Sequence, residues 1–240
     1  MNDTIECPES SVAIRDRFPL ILGLIWLAFA AVLGIAPKQR ADWWMEQIVV
    51  VTGLVILVTT HRWFAFSRAS YLLGFIFLCL HTVGAHYTYS QVPYREWIES
   101  VTGMEAYSQT VGRNHFDRGV HFLYGLLLSR PWREAFYFSM RPRRDLWSHV
   151  VVVSFVMATS LLYELLEWAA AVTWGGEAGI AFLGTQGDPW DAQKDMLLAS
   201  LGSLVAVSAM KLRICLTGFD PARSWGEGQR RRDSLVGSGS

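Results

Sequence analysis

Six apolar stretches, at 18–36, 45–60, 69–86, 116–129, 149–173 and 195–214, constrain this chain more than any other feature of its sequence. A helix rises about 1.5 Å per residue, so crossing the hydrocarbon core of a bilayer takes roughly 20 predominantly apolar residues. The longer stretches reach that length, whereas the second and fourth are short. Hydrophobic residues make up 52% of the 240 and charged residues 18%, an imbalance that favours membrane over one or two soluble domains. Backbone groups in hydrocarbon have no water to bond, so each stretch must satisfy its own amides as a helix. The expected fold is therefore all-α, a polytopic membrane helix bundle with about six transmembrane helices.

The first stretch follows Arg15 and Arg17 but exceeds a signal-peptide apolar region, and Pro37 would sit badly just past a cleavage point. It reads as a retained anchor. Cys7, Cys79 and Cys215 are odd in number and widely spaced, which argues against a disulfide framework and a thiolate zinc site. Assigning the inter-stretch segments alternately to two sides places fifteen Lys and Arg on one side and six on the other. By the positive-inside tendency both termini are then cytoplasmic. The expected organisation is a cytoplasmic segment 1–17, a membrane domain 18–214 with an outer loop 87–115, and a basic cytoplasmic tail 215–240. The basic segments need no nucleic acid to explain them; topogenesis and contact with anionic lipid suffice.

The outer loop 87–115 carries Tyr87, Tyr89, Tyr94, Trp97 and Tyr107. Such a loop is either a surface segment anchored by aromatics at the headgroup level or a cover over a site. A glycine-rich loop from Gly175 to Gly187 precedes the last stretch and lacks the GxxxxGK[ST] phosphate-binding pattern. No internal repeat is visible, which lowers the odds of a repeat-built transporter.

Nine ionisable residues gather at the ends of stretches that share the outer side: His81 and His86, Asp117 and His121, Glu164 and Glu167, and Asp188, Asp191 and Asp195. Charge inside a membrane is costly, so the gathering needs a reason. Residues three and four apart share a helix face, so the last seven form three polar stripes. Simpler accounts exist for some of them. Asp188 followed by Pro189 and Asp191 reads as a helix start, as does Asn114 with Asp117. His86 beside Tyr87 suits the interface, His121 suits a buried histidine bonded to another helix, and Glu164 and Glu167 suit a helix that ends early. The core of the gathering narrows to His81, His121, Glu164, Glu167 and Asp195.

Several carboxylates in one low-dielectric pocket cannot all ionise unaided. A divalent cation would relieve them; mixed histidine and carboxylate ligands without cysteine suit zinc, manganese or magnesium. Without a metal the same groups would share protons, which points to proton or cation passage. The candidate metal ligands are His81, Asp117, His121, Glu164, Glu167, Asp191 and Asp195. Glu164 and Glu167 are the candidate catalytic carboxylates, and Arg118 can neutralise one carboxylate or hold a phosphate as a hydrogen-bonding fork.

Phe116-Asp117-Arg118-x-x-His121-Phe122, Tyr163-Glu164-x-x-Glu167-Trp168 and Gly184-Thr185-Gln186-Gly187-Asp188-x-Trp190-Asp191-x-Gln193-x-Asp195 together resemble the YjdF family of bacterial inner-membrane proteins. The resemblance runs from about 20 to 212 and implies a multi-pass protein of the inner membrane; it brings no activity with it. A more distant likeness is to VanZ-like proteins, whose Asp-Lys-x-x-His, Glu-x-x-Gln and Asp-x-x-x-Asn-x-x-Gly patterns are similar to Asp117-Arg118-x-x-His121, Glu164-x-x-Glu167 and Asp195-x-x-x-Ala199-x-x-Gly202. Arg118, Glu167 and Ala199 depart from that pattern, and the extra carboxylate favours a metal while weakening any transfer of VanZ-type glycopeptide tolerance. Three functions compete. One is a metal-dependent hydrolase or transferase acting at the outer leaflet on a lipid-linked substrate, phosphorylated or not. The others are a cation- or proton-binding transporter and a structural or regulatory protein whose polar network fixes helix packing. No HExxH, serine elbow or CxxC motif is present to favour the first.

Overall fold

The computed structural model describes residues 17–103, 112–140, 145–174 and 185–237. Eight helices make up the described residues: α1 (Phe18–Gly34), α2 (Arg40–Thr60), α3 (Arg68–His86), α4 (Tyr94–Thr102), α5 (Phe116–Met140), α6 (Asp145–Trp174), α7 (Asp191–Thr217) and α8 (Pro221–Gly237). Five of the six apolar stretches fall within a long helix, and the first, 18–36, overruns α1 by two residues. Four of these, α2, α3, α6 and α7, are long and apolar enough to cross a membrane. Of the others, α1 is apolar but only 17 residues long. The 25 residues of α5 include five charges, at Asp117, Arg118, Arg130, Arg133 and Glu134.

Polarity is distributed as a hydrocarbon solvent requires. Leu20, Leu24, Val55, Val58, Leu161, Leu165, Leu204 and Leu216 are exposed, while Ser129, Ser203, His121 and Asp195 are buried. In water that apolar belt would be a liability. In lipid it costs nothing, and it frees the interior for polar and small side chains.

The closest helix pair is α5 and α7, and small residues explain why. A Cβ on Gly125 would stand 1.9 Å from the Ala199 carbonyl oxygen, and one on Gly202 would stand 2.0 Å from that of Phe122. No other residue fits either place without forcing the backbones apart. Just below, Ser129 Oγ donates to the Gly125 carbonyl at 2.6 Å and lies 2.8 Å from Ser203 Oγ, satisfying both hydroxyls where water is absent. On the other flank, Trp26 of α1 packs with Ala30 and Val50 and donates its indole N–H to Thr82 Oγ1 at 3.0 Å.

The chain alternates between two ends of the bundle. One, here the terminal end, holds the start of α1, the end of α7 and α8. The opposite loop end holds 35–39, 87–103, 112–115 and 185–190. The expected basic tail contains a helix: α8 lies against α5, where a Cβ on Gly226 would be 2.7 Å from Tyr137 Cβ, and Trp225 donates to the Ala65 carbonyl at 2.7 Å. Cys79 and Cys215 are free thiols; Cys7 lies outside the described residues.

Candidate metal centre

The same stripes that bring α5 and α7 together aim their polar ends at each other. On α5, Asp117, His121, Gly125 and Ser129 recur every four residues; on α7, Asp191, Asp195, Ala199 and Ser203 do the same. Because the lower halves touch through glycine and serine, the upper halves can place Asp117, His121 and Asp195 within reach of one another. One ligand atom from each of these three lies within 4.8 Å of the others. Helix α6 adds Glu164, whose Oε1 stands 3.5 Å from His121 Nε2, while Asp117 Oδ1 stands 3.6 Å from the same nitrogen.

Burial makes this cluster expensive. Asp195 is 2% exposed and its Oδ1 has no hydrogen-bond partner among the described residues; Glu164 Oε1 is likewise buried without one. Unpaired buried carboxylate oxygens are rare in folded proteins and each costs about 1–3 kcal/mol or more. Four groups on three helices thus present one imidazole nitrogen and several carboxylate oxygens to a common point.

A second layer lies beside them. Tyr163, whose ring is 5.9 Å from that of His121, donates its hydroxyl to Glu46 Oε2 at 2.8 Å. Glu46 Oε2 is 3.7 Å from His81 Nε2, and Tyr89 Oη lies 2.6 Å from His81 Nδ1. Tyr89 reaches inward because Thr88 and Tyr89 adopt left-handed backbone angles of φ 55° and 51°. Residues with a Cβ pay for that geometry, so the turn is held by what Tyr89 contacts. It also needs Gly84, where a Cβ would lie 2.4 Å from the Tyr89 ring.

The mouth is closed by ion pairs. Arg113 donates to the Thr185 carbonyl and to Asp191 Oδ2. Arg118 donates to Asp188 Oδ2 at 2.6 Å and to Asp191 Oδ1 at 3.1 Å, and Lys194 reaches Asp188 Oδ2 at 2.5 Å. Asn114 and Gln186 exchange two hydrogen bonds, at 2.8 and 3.1 Å. The Lys194 ammonium, then the Trp190 amide and Arg118, hold the Asp188 carboxyl well below the usual carboxylate range. Partial burial, then the guanidiniums of Arg118, Arg113 and Arg95, push the His115 imidazole below its ordinary value.

Of the residues expected from sequence, Asp117, His121, Glu164 and Asp195 come together. His81 sits one layer away, bonded to Tyr89. Glu167 is half-buried one turn beyond Glu164, in the field of Asp117, Glu164 and Glu46. Asp191 has both oxygens engaged by arginines. Asp188 caps the turn ahead of α7 through the Trp190 amide at 3.1 Å; the helix itself starts at Asp191. Asn114 Oδ1 accepts from the Phe116 amide at 3.0 Å, as a residue opening α5 should. His86 bonds the Leu33 carbonyl at 2.7 Å and so joins α3 to the end of α1. Tyr107 and the glycines 175, 176 and 184 lie outside the described residues.

Sequence reasoning missed Glu46 and Arg113. Glu46 stands one residue inside the second apolar stretch and four after Asp42, the signal that singled out Glu164, but its place at the stretch's edge disguised it. Arg113 precedes α5 in a loop, where no periodicity assigns it a face.

A helical bundle with an apolar outer belt and an ionisable cluster sunk into one end is a polytopic integral membrane protein. The family described as "predicted membrane protein (DUF2238)" matches residues 18–214, and the chain belongs to it. It is 34% identical over 196 residues to the inner membrane protein YjdF of Escherichia coli (strain K12), an alignment covering 80% of this chain and 90% of that protein. No solved structure matches it.

Proposed function

We propose that Asp117, His121, Glu164 and Asp195 bind one divalent cation and that the protein is a metal-dependent hydrolase or transferase acting on a lipid-linked substrate. The observation that carries this reading is the convergence of three buried or half-buried ligand atoms within 4.8 Å beside two unpartnered carboxylate oxygens. One nitrogen and several oxygens suit zinc, manganese or magnesium. Such an ion supplies a nucleophile by lowering the pKa of bound water from about 15.7 toward 7. Glu167 and the Glu46–His81–Tyr163 layer stand near enough to orient the ligands, and Arg118 to steady an anion.

The topology belongs to the same reading. Helices α1 and α5 join the four long apolar helices to give six spans in a domain of 18–214, with both termini and the basic tail in the cytoplasm. Fifteen of 21 Lys and Arg on one side support that sidedness, and it puts the cluster at the extracytoplasmic face of the inner membrane. A second reading, cation or proton binding without catalysis, is favoured by the run of neighbouring groups Tyr163, Glu46, His81 and Tyr89, in which Glu46 Oε2 stands 3.7 Å from His81 Nε2. Elemental analysis of detergent-purified protein decides first. The expected result is about one equivalent of a divalent metal, lost in Glu164→Ala and Asp195→Ala; wild-type protein that takes up no zinc, manganese or magnesium on dialysis sinks the metal site.

A further inference from the structure

We propose that Arg113 and Arg118 form a receptor for a phosphate group at the mouth of the cluster, so that the lipid-linked substrate is a phosphate ester. This rests on the metal-site reading for the neighbouring cation, but its own basis is the arginine pair. Both guanidiniums are largely buried, with 12% and 17% of their side chains exposed. Each spends Nη donors on Asp188, Asp191, the Thr185 carbonyl or the His115 ring. In both, the Nε donor is buried and has no hydrogen-bond partner among the described residues. A buried donor on a charged group is costly when unpaired, and two side by side suggest a missing acceptor.

Asp191 fixes how the two forks stand to each other. It is 5% exposed, with Oδ1 toward Arg118 and Oδ2 toward Arg113. This makes it a positioning residue. Among the described residues these ion pairs set three cations, Arg113, Arg118 and Lys194, against two carboxylates, Asp188 and Asp191. The guanidinium charges also reach the cluster: both act on Asp117, and that of Arg118 acts on Asp195.

Geometry selects the class of anion. A carboxylate has two oxygens and fills a single fork. A phosphoryl group has three terminal oxygens and tetrahedral directions, which suit the two unpartnered Nε–H donors and a cation approaching from different sides. The cation is also what makes the site tolerable to a dianion, since Asp117, Glu164 and Asp195 would otherwise repel it.

The test uses the full chain in detergent, with and without manganese, and two pairs of probes. Affinities are measured for dioctanoyl phosphatidic acid against dioctanoylglycerol, and for inorganic phosphate as competitor. Wild-type protein should prefer the phosphatidic acid by about tenfold or more, and Arg113→Gln and Arg118→Gln should each lose about ten- to hundredfold of that affinity. Arg113→Lys keeps the charge but not the fork, and should also lose most of it. Inorganic phosphate competing as well as the lipid identifies the free ion as ligand; much weaker competition identifies the headgroup. Equal binding of the two lipids by wild-type protein overturns the proposal and needs no variant to do so. So does an Arg113→Gln protein that melts earlier but keeps wild-type selectivity, because the arginine would then be a structural latch. Manganese stoichiometry is read separately, so a failed metal site and a failed phosphate site give different results.

Discussion

Two buried polar clusters lie at opposite ends of α5, and they differ in how far their hydrogen bonds are satisfied. At the terminal end Glu134 is fully buried and accepts from the Ser67 amide at 3.0 Å, the Ser67 hydroxyl at 2.6 Å and Arg130 Nε at 3.2 Å. Arg133, 1% exposed, grips Asp220 with two bonds of 2.7 and 2.6 Å and reaches Tyr137 and Ser148 as well. At the loop end His121 stands at 3.5 and 3.6 Å from its carboxylates, and oxygens of Glu164 and Asp195 have no partner among the described residues. Saturated burial holds helices together; unsaturated burial of like charges is tolerated when something else completes it.

The sharpest way to break that contrast is to remove one member from each end. Arg133→Ala strands Asp220 and should cost roughly 3–5 kcal/mol, a fall of about 10 °C or more in melting midpoint. Asp195→Asn removes a repelling charge, so metal-free protein should melt at or above the wild-type temperature. The same variant should lose the stabilisation that zinc or manganese gives the wild type, and chelator should lower the midpoint only in the wild type. If metal-free Asp195→Asn falls as far as Arg133→Ala, the two ends are alike and the loop-end cluster is merely structural.

Gly202→Ala tests whether packing sets the site. Its methyl would stand 2.0 Å from the Phe122 carbonyl oxygen, so α5 and α7 must part. We expect a loss of about 1–3 kcal/mol together with weakened metal binding two turns away. Metal affinity that survives the loss of stability would show that the cluster does not depend on this contact. Gly84→Ala acts more gently, by driving Tyr89 off His81. Losing that 2.6 Å bond should cost about 1 kcal/mol and change metal affinity less than tenfold, as checked by titration.

The same contrast explains what could be read from the sequence. Apolar length located six helices, four of them long and apolar enough to cross a membrane. It stopped the fourth stretch at 129, whereas α5 continues to Met140. Arg130, Arg133 and Glu134 looked like the end of a span because their partners, Ser67 and Asp220, are remote in sequence. Helix α8 was hidden in the same way: Asp220 Oδ1 accepts from the Ala222 and Arg223 amides at 3.1 and 3.2 Å, a helix start inside what composition marks only as a basic tail. At the loop end the spacings of three and four revealed the stripes on α5, α6 and α7. Glu46, Tyr89 and Arg113 join through contacts between elements, which periodicity within one helix does not encode.

The smallest expected effect concerns Asp188, the saturated carboxylate at the mouth. Asp188 takes Lys194, Arg118 and the Trp190 amide, and its carboxyl is held well below the usual range, chiefly by Lys194. A depressed carboxyl contributes above its unfolded value, about 3.9, and that contribution fades only as pH falls through the lower folded value. His115 is shifted down by burial and the nearby arginines, which moves its protonation toward lower pH. Hydrogen exchange at the Trp190 amide, corrected for its intrinsic rate, should therefore be flat from pH 7.5 to about pH 4.5. In Asp188→Asn it should be faster throughout, with no new pH dependence. A step between pH 6 and 5 in the wild type would mean that protonation within the unsaturated cluster opens the mouth, and the two parts of the loop end would then have to be treated as a single titrating unit.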